Sequence, residues 1–169
     1  ATATSFLMID YLGRPAAEFG LYFMCFPAGF LTGSILSSRL AGRVAPETMV
    51  LAGSLLMMAG ALTQAGFLFA GHVSPLTIFV PGYFAIMAQG ISLPNAQSGA
   101  INAAGPLAGT GAGIGVFIQL LAAGVFTQIY GFTADGTPVP MAATVSVSAV
   151  LVLVVGGVPW LIARRETRS

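Results

Sequence analysis

Residues 90–131 read GISLPNAQSGAINAAGPLAGTGAGIGVFIQLLAAGVFTQIYG. Proline and asparagine at 94 and 95 predict that one apolar helix stops there and that a short polar connection follows. A second apolar, glycine-studded segment then runs for about the thickness of a bilayer, with Gln119 near its middle. The stretch contains no charged side chain, so its solvent is lipid and its backbone must be satisfied within helices.

The rest of the chain has the same character. Hydrophobic residues make up 56% and charged residues 7% of the 169 positions, against roughly 25% charged in a soluble globular protein. After Glu47 the next charged side chain is Asp135, and His72 is the only imidazole. An apolar run of that length has to fold back and forth across a membrane, which makes the expected fold class all-α integral membrane. With no basic patch there is no counterion-release term and no reason to expect a nucleic-acid partner. The single cysteine, Cys25, excludes an internal disulfide framework and a cysteine-based zinc site.

Crossing about 30 Å at 1.5 Å per residue takes roughly 20 residues. Residues 2–9 are apolar but too few, and read as the tail of a helix that begins upstream; the N-terminus has no signal-peptide pattern. Complete spans are expected at 19–38, 49–70, 75–93, 108–130 and 141–163, all within one transmembrane segment covering 1–169. Arg39, Arg43, Arg164, Arg165 and Arg168 fall on one side of the layout and Arg14 alone on the other, so the first side is expected to be cytoplasmic. Tyr11, Tyr22 and Tyr130 fall near the outer boundary and Trp160 near the inner one, as suits amphipathic rings at headgroup level.

Gly29 and Gly33, Gly105, Gly109 and Gly113, and Gly111 and Gly115 recur at four-residue spacing, the pattern that lets lipid-embedded helices approach closely. Such stripes serve either plain packing or a crossing that rocks. Gln119 is a primary amide near the centre of a span and needs either a bond to a neighbouring helix or a watered cavity. Gln89 and Gln64 pose the same choice nearer their span ends, and the phenol of Tyr83 shares it. Phe23, Phe26, Phe30, Tyr83, Met87 and Phe117 can form an adaptable apolar wall for a bulky ligand or face lipid as filler. No Asp, Glu, Lys or Arg lies inside a complete span, so a proton relay has no carrier there. There is no nucleophile-base pair, no metal-ligand spacing and no phosphate-binding loop, so neither an enzyme nor a bound cofactor or metal is expected.

The run Gly90-Ile91-Ser92-Leu93-Pro94-Asn95-Ala96, followed by Ala108-Gly109-Thr110 and then Gln119, resembles the tenth-to-eleventh helix region of major facilitator superfamily drug exporters, most closely the bicyclomycin-resistance (Bcr/CflA) branch. The loop 37–46, with Arg39 and Arg43, resembles the weaker second copy of the superfamily's cytoplasmic motif. Three features depart from the pattern: Ser37 and Ser38 stand where an acidic residue is favoured, Pro106-Leu107 where a basic group is usual, and Gly111-Ala112-Gly113 is richer in glycine.

The resemblance implies the C-terminal half of a two-halved carrier, here the end of its seventh helix and its eighth to twelfth, with the missing N-terminal helices of the same carrier as partner. Substrate would sit between the halves and meet each side alternately. It implies a cavity wall from Phe23, Phe26, Phe30, Tyr83, Met87, Gln89, Phe117 and Gln119, and a bend at Gly90, Pro94 and Asn95. The function so implied is proton-coupled efflux of small, largely apolar compounds across a bacterial cytoplasmic membrane. A carrier for a polar nutrient, and a non-transporting membrane interaction protein or remnant, are the alternatives.

Overall fold

The computed structural model describes residues 4–5, 8–9, 12–133 and 139–166, with the side chains of 159, 162, 163, 165 and 166 left aside. Tyr11, Asp135, Arg168 and the Arg165 side chain, together with parts of the N-terminal stub and of the turn after residue 133, lie outside the described residues. The described residues are helical and form no strand. The helices are α1 (Ala16–Phe23), α2 (Cys25–Leu40), α3 (Pro46–Phe69), α4 (Pro75–Ala104), α5 (Ala108–Thr133) and α6 (Val139–Glu166), with a 3-10 turn at Gly105–Leu107. They make four helical stretches long and apolar enough to cross a membrane: Ala16–Leu40, Pro46–Phe69, Pro75–Thr133 and Val139–Val158.

Each boundary has a local cause. Pro27 has no N–H to offer Phe23, and its ring crowds that carbonyl, so the helix breaks at Met24, whose N–H reaches Leu21 O at 3.3 Å instead. The expected single span at 19–38 is therefore two helices in one apolar stretch. Pro46 opens α3 at a position where no donor is needed, and Gly71, at φ +73°, turns the chain after it. Ser74 caps α4 in a reciprocal pair with Thr77, and Pro75 follows in the first turn.

The expected end of the third span at Pro94 is not where the helix ends. α4 continues through both Pro81 and Pro94 for 30 residues and stops at Gly105, whose φ of +52° suits a residue without Cβ. The connection expected to be polar loop is thus mostly helix. Pro75–Thr133 spans 59 residues, about 88 Å if straight, but it does not run straight. Gly111 lies against Ala104 and Ala100, and Tyr130 shares a buried cluster with Ile78 and Phe79, so α5 doubles back along α4.

α4 is the central element, packed between α2 and α3, and α6 packs against α3. The main buried cluster gathers Met8, Ala65, Leu68, Ile78, Phe79, Tyr130, Met141 and Ala142 at the end of the bundle away from Arg39 and Arg43. Phe19, Tyr22, Phe23 and Phe26 join it at Phe79 through a chain of ring contacts of 5.2–6.2 Å between centroids. Trp160, at the opposite end, carries the Arg164 guanidinium 4.1 Å above its ring. Elsewhere long apolar side chains point outward, among them Leu21, Leu120 and Val155 at 77%, 67% and 68% exposure, the outside-in pattern of a chain solvated by lipid.

Candidate functional site

The most built region is the crossing of α2 and α4. A Cβ added to Gly29 would come 2.7 Å from Tyr83 O, and one added to Gly33 would meet Met87 O and the Cα of Gly90. A Cβ at Gly90 would in turn meet Phe30 O and Ser34 N. The two backbones therefore touch where both helices lack side chains, the geometry that four-residue glycine spacing permits.

Polar groups line the same seam. At its middle, Tyr83 Oη donates to Thr32 Oγ1 at 3.1 Å, which gives the mid-span phenol its partner. Further along, Pro94 withholds the N–H that would bond Gly90 O, and Ser34 Oγ of α2 approaches that oxygen at 3.5 Å. One residue on, Asn95 Nδ2 donates to Ile91 O at 2.7 Å and to Ser37 Oγ at 2.8 Å, and Ser37 Oγ lies 3.9 Å from Met49 Sδ on α3. A proline inside a lipid-embedded helix is tolerated when neighbours answer the freed backbone groups, and here α2 does so.

Near Pro81, α4 is bonded from both α3 and α2. Gln64 Nε2 donates to Ile78 O at 2.9 Å, in the turn that Pro81 disturbs, and Cys25 Sγ approaches Phe79 O at 3.7 Å. Ser92 Oγ donates to Ala88 O at 3.1 Å and reaches Val50 O at 3.5 Å, beside Gly53. Ser54 packs on Gly156 and joins α3 to α6.

Of the expected wall residues, Phe30, Tyr83 and Met87 lie half-buried at the α2–α4 seam. Phe23 and Phe26 belong to the aromatic cluster, with the Phe26 ring seated on Gly82. Gln89 is half-buried and makes no side-chain hydrogen bond to a described residue. Phe117 and Gln119 on α5 are exposed, Phe117 by 64%, and Gln119 has no described partner. The α2 and α4 members come together, and the α5 members stand apart from them. Gly90 is buried, Asn95 half-buried and Pro94 exposed, at the same seam. Arg39 lies in the last turn of α2, where the helix dipole favours a cation, and Arg43 lies exposed in the following loop.

Gly109, Gly113 and Gly115 have nothing within 4 Å of a built Cβ, so the close packing expected of that stripe is not made; only Gly111 makes a near approach. Among the described residues the one ion pair is Arg14–Glu18 at 3.5 Å, and no group of three or more His, Cys, Asp or Glu gathers to hold a metal.

The sequence reading singles out none of Thr32, Ser34 and Ser92, and Ser37 only as a departure from the exporter pattern. A signal for two of them exists there: Pro94 frees the carbonyl four residues earlier, and Ser34 and Ser37 follow Gly33 on the helix that packs there. Comparison with family models, with curated proteins and with solved structures finds no match to this chain.

Proposed function

We propose that the chain is the C-terminal part of a secondary active efflux carrier of the major facilitator type, a drug/proton antiporter of the bacterial cytoplasmic membrane working by alternating access. The observation that carries this reading is the α2–α4 crossing. Its central helix holds two prolines, its backbones meet at glycines, and the carbonyl that Pro94 frees faces a hydroxyl on the neighbouring helix. A helix so built can bend at 90–95 without stranding a polar group in lipid, which is what a moving wall of a transport pathway needs. The resemblance of residues 90–119 to the exporter pattern points the same way. Phe23, Phe26, Phe30, Tyr83, Met87, Gln89, Phe117 and Gln119 are the proposed substrate-facing positions, and the titrating group for proton coupling lies outside the five expected spans.

Drug accumulation in cells carrying the full-length protein tests the reading. Tyr83→Ala and Gln119→Ala are expected to raise accumulation of apolar compounds toward that of cells without the carrier. Unchanged efflux in both variants rejects the cavity assignment, and flux restricted to polar nutrients moves the chain to the other carrier class. A reconstituted protein with no flux at all that binds another membrane protein stably would make it an interaction protein. Sequencing the gene upstream tests the incomplete-chain reading, which a start codon directly before Ala1 would remove.

A further inference from the structure

A half-open cavity of about 270 Å³ lies among α3, α4 and α6, and Phe26 of α2 and Thr4 also line it. On α4 it is lined by Gly82, Ala85 and Ile86; the α2 ring of Phe26 reaches it over Gly82, while the rest of α2 meets α4 at Tyr83, Met87 and Gly90. From α3 it takes Met57, Ala61 and Gln64, and from α6 Met141, Val145 and Ala149, each set at helical spacing on one side of its helix.

The wall is apolar except for Thr4, Gln64, Thr144 and Ser148. Thr144 and Ser148 have given their protons to Pro140 O and Thr144 O, at 2.8 Å each. Gln64 is different. It is only 7% exposed, and its amide orientation is fixed because Ile78 O can only accept, so the nitrogen must be the atom that faces it. That leaves Oε1 as the other end, and no described residue donates to it. No buried side-chain nitrogen or oxygen among the described residues is sealed away without a partner, so Oε1 borders open space, and the space Gln64 lines is this cavity.

We propose that the cavity is a binding site for one small, largely apolar molecule bearing a single hydroxyl or N–H donor, accepted by Gln64 Oε1. Size sets the class. An apolar cavity of about 150 Å³ holds benzene, so this one suits roughly ten to twelve non-hydrogen atoms, the size of an alkylated phenol. A bare acyl chain would fill the volume but leave the buried oxygen unpaired, which costs more than leaving it hydrated. The site shares Phe26 with the proposed substrate-facing positions, and its other lining residues lie outside that set.

The test uses the full-length protein in lipid nanodiscs, labelled with ¹³C at the methionine methyls and titrated with thymol and with p-cymene, the same skeleton without the hydroxyl. Saturable shifts are expected at Met57 and Met141 and not at Met87, with thymol binding about tenfold tighter than p-cymene. Gln64→Leu should remove most of the preference for thymol over p-cymene. Ala85→Leu and Ala149→Leu fill the cavity from opposite walls, and either one, if folded by its melting curve, should abolish both titrations.

Equal binding of the two ligands to the unaltered protein overturns the proposal, as does a non-saturating shift that tracks partition into the bilayer. Shifts centred on Met87 would instead place the ligand at the proposed transport pathway and overturn this site while leaving that reading standing. Loss of drug efflux with the Met57 and Met141 titration intact does the reverse.

Discussion

Gly29 and Gly33 sit so close to α4 that a methyl group at either would run into its backbone, whereas Gly113 and Gly115 on α5 have open space where a methyl would go. Both helices carry glycines four residues apart, and the spacing alone does not distinguish them. The difference lies in what faces them. α2 presents Thr32, Ser34 and Ser37 to a partner that offers Tyr83, a proline-freed carbonyl and Asn95. The middle of α5 offers one amide, Gln119, and meets no complement. Small residues allow backbones to approach in lipid, but hydrogen-bonding groups on both sides specify which pair of helices does so.

Substitutions can break this contrast or make it sharper. The largest effect is expected at Gly33→Val, where a branched side chain would be driven into Met87 O and Gly90: a loss of about 3 kcal/mol in reversible unfolding from detergent. Gly115→Val should leave the same measurement within about 0.5 kcal/mol, because nothing stands in its way.

Pro94→Ala restores a donor to Gly90 O. The gain should be about 1–2 kcal/mol rather than the ~3 kcal/mol of an unanswered helix proline, because Ser34 already answers part of the loss. If α4 bends during transport, the same substitution slows turnover while raising the melting temperature, and a faster carrier would argue against the hinge.

Asn95→Ala removes the link to Ser37 and should cost about 1 kcal/mol, whereas Gln119→Ala should change stability by less than about 0.5 kcal/mol. A large loss at Gln119 would mean that α5 has a partner helix in the assembled protein, which would erase the contrast between the two helices.

Much of the architecture can be read from the chain itself. Pro46, the Ser74-Pro75 start and the charge-free run after Glu47 mark helix starts and lipid burial without tertiary information. Pro94 misleads for a physical reason: a proline ends a helix in water, but in a bundle its cost is met from Ser34, which lies on another helix 60 residues earlier in the sequence. The partners of the amides are equally invisible. Gln64 and Gln119 have the same chemistry and similar apolar surroundings in sequence, yet one bonds Ile78 O and the other has no described partner. Helices apolar around their whole circumference carry no stripe to say which face turns inward. A mid-span phenol such as Tyr83 needs a partner on sequence grounds alone, but only the fold shows that it is Thr32.

Gly105 also bears on how the chain enters a membrane. With only the turn Gly105–Leu107 between them, α4 and α5 have no loop long enough for one to insert and wait for the other. So short a turn favours their insertion as a hairpin. From Thr48 to Ala134 no side chain carries a formal charge, so this hairpin has no positive residues to set its own orientation. Its direction is inherited from Arg39 and Arg43 before it and from the arginines after Trp160. Moving those few charges should invert the two central helices without altering a single residue in them.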